Sequence, residues 1–179
     1  MKKYKVGLVG VRRGSSYMSV LSRNNRTEIT AVCDINHHTL DDISKQFKLK
    51  DSMLYTDYDQ FINSDFDIVV LGTPIPSHTD ETVKALENGK HVLSEVTASD
   101  TLKGCYDIIR ATERSESKYM MAENCIYMNF CAQWKKTINE GKLGHIFFGE
   151  ADYVHEIRHL IIDPVTGDTL WRAQRPPIH

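Results

Sequence analysis

Tyr4-Lys5-Val6-Gly7-Leu8-Val9-Gly10-Val11-Arg12-Arg13-Gly14-Ser15-Ser16 is the stretch whose reading decides the fold. Residues 4–9 are a β-rich run that stops at Gly10. From Ser16 onward, Tyr17, Val20 and Leu21 fall at helical spacing, which predicts a helix from that point. A glycine turn between a strand and a helix aims backbone N–H groups and the helix N-terminus at a phosphate. The usual G-x-G-x-x-G pattern is broken here, because Arg12 holds the second glycine position and Ser15 the third. Gly10 and Gly14 remain, four residues apart. An ordinary strand-to-helix turn could carry the same residues, so the rest of the chain has to decide.

Working outward, strand and helix signals alternate. Residues 28–34 read as a second strand, followed by a helical stripe of Leu40, Ile43 and Phe47 that Thr39 opens with Asp42 three positions on. Residues 52–55 read as a short strand, and Asp57 caps a brief helix bearing Tyr58, Phe61 and Ile62. Residues 67–71 form an apolar run without alternation, as expected when both faces of a parallel sheet are covered. Ser77 is expected to cap a helix closing at Gly89. Strands over 90–95 and 118–123 flank a helix over 101–113. Six strands separated by helices read as βαβ units, hence an α/β fold with a doubly wound parallel sheet of the Rossmann type.

The rhythm changes after a helix expected over 129–140. Residues 146–154 look like a new, longer strand, and the remainder carries Pro164, Gly167, Pro176 and Pro177. The expected organisation is a dinucleotide-binding domain over 1–125, followed over 126–179 by a linking helix and the incomplete start of a second, α+β domain.

Composition narrows the partners. The 179 residues are 41% hydrophobic and 26% charged, with 22 Lys and Arg against 24 Asp and Glu and a net charge of -2. There is no basic excess for nucleic acid and no polybasic tail for a membrane surface. The apolar run at 68–71 is far short of the ~18 residues a spanning helix needs. Cys33, Cys105, Cys125 and Cys131 form no C-x-x-C pair, which favours reduced thiols and a cytoplasmic location.

The polar residues that follow the strands carry the chemistry. Asp34 ends the second strand 24 residues past Gly10, where an acid accepts hydrogen bonds from the adenosine ribose hydroxyls. No Arg or Lys follows it closely, so a 2′-phosphate would meet an uncompensated carboxylate; NAD is favoured over NADP. Gly72-Thr73-Pro74-Ile75-Pro76-Ser77-His78 follows the fourth strand, Glu95-Val96-Thr97 the fifth and Glu123-Asn124 the sixth. All strand C-termini of an open parallel sheet lie on one edge, so these segments converge with Gly10 and Asp34 on one crevice.

The set GLVGVRRGSS, CD, LGTPIPSH, ENGKHVLSEV and YMMAENCIYM resembles the N-terminal half of the glucose–fructose oxidoreductase/inositol dehydrogenase (Gfo/Idh/MocA) family over roughly residues 4 to 155. The resemblance implies an NAD(P)-dependent enzyme acting on a sugar, polyol or related compound. It implies that Gly10, Arg12, Arg13, Gly14 and Ser15 line the pyrophosphate and Asp34 the ribose. Thr73, Pro74 and His78 would then line the middle of the cofactor, with Glu95 and Asn124 near the nicotinamide ribose. One departure matters: Glu95-Val96-Thr97 stands where the family shows Glu-Lys-Pro, and Val96 cannot relay a proton as a lysine can. Within the chain Glu95 and Tyr127 are the catalytic candidates; the resemblance puts the main catalytic residues beyond His179, leaving these 179 residues inactive by themselves.

Three functions follow as expectations. The first is hydride transfer between NAD and a carbohydrate derivative. The second is an NAD-dependent glycosidase working by transient oxidation and elimination, for which Val96 leaves room. The third is a non-catalytic dinucleotide-sensing module. A homo-oligomer and a carbohydrate-like substrate are the expected partners.

Several other signals are set aside. His155-Glu156-Ile157-Arg158-His159 matches H-E-x-x-H, but zinc needs the two histidines about 6 Å apart on a helix. On the extended segment expected there they would be about 13 Å apart, so no metal site is expected. His37-His38 reads as the start of a solvated helix. Phe130, Trp134 and Ile138 at i, i+4, i+8 read as core, and Trp171-Arg172 as a surface loop.

Overall fold

In a computed structural model of the chain, residues 2–154, 156–163, 165–170 and 173 are described. The chain divides into two compact units, Met1–Asn124 and Cys125–His179.

The first unit is a six-stranded parallel sheet. Its strands are β1 (Tyr4–Val9), β2 (Thr27–Cys33), β3 (Leu54–Tyr55), β4 (Ile68–Leu71), β5 (His91–Ser94) and β6 (Tyr119–Met121), in the order β3-β2-β1-β4-β5-β6. Helices α1 (Val11–Leu21), α2 (His37–Phe47), α3 (Tyr58–Ile62), α4 (Ile75–Glu87) and α5 (Leu102–Arg114) supply the crossovers. The order reverses between β1 and β4, which makes their C-terminal ends the switch point of the sheet.

Both faces of the sheet are buried, and the period-2 alternation of the strands divides their residues between them. Val6, Leu8, Val32 and Val70 pack with Val11 and Met18 of α1 and Leu40 and Ile43 of α2. Val9, Val69, Leu71 and Val92 pack on the opposite face with Phe61, Ile62, Phe66, Ala85 and Leu86. Gly7 falls on that second face, where a Cβ would stand 2.8 Å from the Phe61 ring and 2.9 Å from Phe66. The missing side chain is what lets two stacked rings, 4.9 Å between centroids, lie against β1.

Several boundaries differ from the sequence expectations. Helix α1 begins at Val11, five residues before Ser16, directly after Gly10 in the left-handed conformation (φ 73°). Arg12, Arg13, Gly14 and Ser15 are therefore helical residues and not a loop. The helix starts early because Asp34 Oδ2 accepts from the Val11 N–H at 2.9 Å, an anchor 23 residues away that local periodicity cannot report. Helix α2 is opened by Asn36, whose side chain accepts from the amides of His38 and Thr39, and not by Thr39. Helix α4 starts at Ile75 after Pro74, with Pro76 in its first turn, so Ser77 lies inside it. Residues 51–53 form a 3-10 turn ahead of a two-residue β3. Asp57 and Thr101 do cap α3 and α5, accepting from Gln60 N and Gly104 N.

The second unit contains a 3-10 turn (Cys125–Tyr127), α6 (Asn129–Asn139) and the short α7 (Arg158–Ile161). Residues 146–154 form no strand. A strand needs a hydrogen-bonded neighbouring strand, and no described strand of the sheet pairs with this segment, in which Phe147 and Val154 are more than nine-tenths exposed. Phe130, Trp134 and Ile138 do share one face of α6, with Phe130 and Trp134 in edge contact at 5.1 Å, but all three are exposed and form no core. Arg158 to Ile161 is helical where an extended segment was expected. His155, Trp171 and Arg172 lie outside the described residues.

Filling the gap at Gly7 tests this packing. Gly7→Ala should cost about 1–3 kcal/mol of unfolding free energy by overpacking. In a Phe61→Leu background the same change should cost about 1 kcal/mol less, since the two sites touch. Urea unfolding of the four proteins measures this; strict additivity would contradict the contact.

Candidate functional site

Every strand of the first unit delivers its C-terminus to one edge, and three close backbone contacts shape that edge around the switch point. Gly10 N donates to Cys33 O (3.0 Å), tying the end of β1 to β2, and Gly72 N donates to Val9 O (2.8 Å), tying it to β4. A Cβ at Gly10 would stand 2.5 Å from both Gly72 C and Thr73 N, and one at Gly72 would stand 2.9 Å from Gly14 N. The two turns touch backbone to backbone, and only glycine permits it. At the N-terminus of α1, Gly14 N returns to Gly10 O (2.9 Å) and Val11 N goes to Asp34. The amides of Arg12 and Arg13 meet no protein acceptor among the described residues, so the first turn presents open donors.

Asp34 sits just past β2, its amide on Tyr55 O (3.1 Å). Its Oδ2 accepts from Val11 N and its Oδ1 from Asn36 N, both at 2.9 Å. Two of roughly four acceptor positions on the carboxylate are used, which leaves capacity for a ligand's hydroxyls.

Glu95, just past β5, is 6% exposed. Its Oε1 accepts from the Tyr17 hydroxyl (2.7 Å) and lies 3.1 Å from Arg13 Nε, while its Oε2 accepts from Arg13 Nη2 (3.2 Å). Arg13 and Tyr17 are i, i+4 on α1, so one helix face holds this carboxylate. Burial and the bond to Glu95 push the Tyr17 hydroxyl up to about 12.

His78 is fully buried on α4. Its Nδ1 lies 2.6 Å from Thr97 O and its Nε2 2.9 Å from Thr73 O, so the ring clamps the turn after β4 to the loop after β5. A neutral imidazole donates to one of these carbonyls; only the doubly protonated ring donates to both. His78 therefore holds the turns and does not face the crevice. Pro74 is exposed at the start of α4, and the Ser15 hydroxyl donates to Arg12 O at 3.3 Å, back into its own helix. Asn124 is exposed at the last position of the first unit, while Tyr127 belongs to the second.

Two participants escaped the sequence reading. Tyr17 was assigned to the helix stripe, though its position four residues after Arg13 was a usable signal. Glu81 lies on α4 one turn past His78. Thr73 Oγ1 donates to its Oε2 at 2.5 Å, and the Tyr58 hydroxyl donates to its backbone oxygen at 2.7 Å. Among the described residues no cation pairs with it. Burial pushes the Glu81 carboxyl up to about 7, against a smaller lowering by the Thr73 bond. Neither Glu81 nor Cys33, whose thiol burial raises to about 12, carried a motif.

Among the described residues no cluster of three or more His, Cys, Asp or Glu could hold a metal ion, and no helix is long and apolar enough to cross a membrane.

The model of the oxidoreductase family with an NAD-binding Rossmann fold, Gfo/Idh/MocA, matches residues 4–123, and the chain belongs to that family. Over 98% of its length it is 32% identical to a glycosyl hydrolase family 109 protein of Shewanella pealeana and to an alpha-N-acetylgalactosaminidase of Shewanella oneidensis. It covers 41% of each, so the chain spans about two-fifths of the length of these curated relatives. Its fold is shared with a scyllo-inositol dehydrogenase from Lactobacillus casei solved with NAD(H) and scyllo-inositol, at TM-score 0.73 and 20% identity over 80% of this chain and 43% of that one. It is shared likewise with the WlbA dehydrogenase of Bordetella pertussis in complex with NADH and UDP-GlcNAcA, at TM-score 0.75 and 20% identity over 82% and 45%.

The unpaired Glu81 yields a prediction about stability. A carboxyl whose pKa is about 7 when folded and about 4.5 when unfolded binds more protons in the native state between those values. Its contribution is complete below pH 4.5 and is lost as pH rises through 7. Relative to Glu81→Gln, the unliganded wild type should lose roughly 3 kcal/mol at most between pH 4 and pH 8. Paired urea titrations at several pH values read this; equal slopes for both proteins would contradict it.

Proposed function

We propose that this chain is the cofactor half of an NAD-dependent enzyme that moves hydride to or from a carbinol carbon of a carbohydrate derivative. The observation that carries the reading is the turn at Gly10. It packs against Gly72 without side chains, opens the first amides of α1, and stands one strand away from Asp34. These residues fit a dinucleotide. Gly10, Arg12, Arg13, Gly14 and Ser15 would hold the pyrophosphate, the Arg12 and Arg13 amides facing its charge. Asp34 would hold the adenosine ribose with its spare lone pairs. Thr73 and Pro74 would border the middle of the cofactor, and Glu95 and Asn124 its nicotinamide end. His78 would act from behind, by fixing Thr73 and Thr97.

A bound nicotinamide ring supplies the hydride acceptor and donor. Glu95, held by Arg13 and Tyr17, keeps a carboxylate oriented at the end of β5. Val96 beside it offers no proton, so the proton that accompanies hydride transfer must come from another side chain. That gap supports a second reading, an NAD-dependent glycosidase in which oxidation of the sugar is transient and no net redox change occurs. The naming of the two Shewanella relatives agrees with it. Assays of the intact protein separate the two readings. Accumulation of NADH with a free polyol or sugar supports the first; glycoside cleavage that needs NAD but accumulates no NADH supports the second. Tight NAD binding with neither activity would overturn both and leave a dinucleotide-sensing module.

Cofactor choice is a separate test. Asp34 is expected to make NAD bind more tightly than NADP. Asp34→Ala should weaken NAD by about tenfold to a hundredfold, the range of one or two charge-assisted hydrogen bonds, and should narrow the gap to NADP. Isothermal titration showing wild-type preference for NADP would overturn the assignment.

A further inference from the structure

Thr73 is the residue at which two features of the edge meet. Its amide lies 2.5 Å from the position a Gly10 Cβ would occupy, so it lies against the pyrophosphate turn. Its hydroxyl bonds to Glu81 Oε2 at 2.5 Å. Its carbonyl is held by His78 at 2.9 Å, which fixes the backbone and leaves the hydroxyl proton as the movable part.

We propose that Glu81 is a positioning residue that sets the hydrogen-bond polarity of Thr73 toward the dinucleotide, making cofactor affinity depend on pH. The inference rests on the cofactor reading above. When Glu81 is ionised, its Oε2 is an acceptor and the Thr73 hydroxyl must point its proton at it. Thr73 then presents lone pairs to the crevice. When Glu81 takes a proton from solvent, its own O–H donates to Thr73 Oγ1, and the Thr73 proton is released to point at an acceptor in the crevice. A pyrophosphate is an anionic acceptor, so it is favoured by the second arrangement and opposed by the first, which also adds a partly desolvated negative charge behind it.

The surroundings of Glu81 make the switch accessible near neutral pH. The Cys33 thiol at the end of β2 and the Tyr58 phenol on α3, which donates to the Glu81 backbone oxygen, are near enough to feel its charge; Asp80 adjoins it on α4, and Asp57 and Asp59 flank Tyr58. All of these are acids or neutral groups. His78, on the same helix, lies between Thr97 O (2.6 Å from Nδ1) and Thr73 O (2.9 Å from Nε2) and makes no ion pair with Glu81 among the described residues. Among the described residues no cation pairs with Glu81, and burial holds the carboxyl up to about 7.

The test is calorimetric titration of NAD between pH 5.5 and 8.5 into the wild type, Glu81→Gln and Thr73→Val, each first checked for a cooperative thermal transition. Wild-type affinity should fall about tenfold from the acid to the alkaline end, the ratio equivalent to one unit of pKa displacement on binding. Glu81→Gln, whose amide carries no titratable proton, should bind with an affinity that stays constant across this pH range. Thr73→Val should bind more weakly and lose most of the slope. A flat wild-type profile, or a slope undiminished in Glu81→Gln, would overturn the inference while leaving the cofactor reading intact. Absence of NAD binding at every pH would overturn the cofactor reading, and this inference with it.

Discussion

Gly10 and Gly72 touch through their backbones, and the rest of the edge is arranged around that contact. A Cβ on either residue would fall inside 3 Å of the other turn. Because neither has one, the ends of β1 and β4 close on each other at the point where the strand order reverses. Three consequences follow directly. Helix α1 can start at the residue after Gly10, its first amides face the crevice, and Thr73 lies against the same turn. The two buried faces of the sheet hold this contact rigid, with Leu8 and Val70 on one side and Val9 and Leu71 on the other.

Three carboxylates stand around that contact in three different states of compensation. Asp34 accepts two backbone amides and anchors α1 as it does so. Glu95 is nearly buried but is met by the Arg13 guanidinium and the Tyr17 hydroxyl. Glu81 has the Thr73 hydroxyl and, among the described residues, no ion-paired cation. Compensated acids of the first two kinds build a fixed frame, because removing their partners would strand a desolvated charge. The third lacks such a partner, and its burial raises the carboxyl to about 7.

Much of this was legible in the sequence, and the misses have physical causes. The unalternating apolar run at 68–71 and the glycine turn at Gly10 were enough to specify a doubly wound parallel sheet, because burial on both faces leaves a compositional trace. The cap formed by the adjacent Asp57 was also legible. The start of α1 leaves no local trace because the Val11 amide is held by Asp34, which lies 23 residues on, just past β2. Residues 146–154 carry strand-forming side chains, yet extended pairing depends on a neighbour and not on propensity alone. Phe130, Trp134 and Ile138 show that an apolar stripe establishes a helix face without establishing what covers it. Glu81 leaves no sequence trace: an acid on a helix reads as solvated, and its burial follows from Tyr58 and Thr73, which come from other elements.

We place the dinucleotide at the C-terminal edge of the sheet, at the β1/β4 switch point. A ¹H–¹⁵N correlation spectrum of the protein titrated with NAD reads that placement residue by residue. The largest saturable shifts should fall on the amides of Val11 to Gly14, Asp34 to Asn36, Gly72, Thr73 and Glu95. The opposite edge of the same strands, at Lys5, Asp67, His91 and Lys118, should stay still. Shifts concentrated on that opposite edge, or none that saturate, would place the dinucleotide elsewhere.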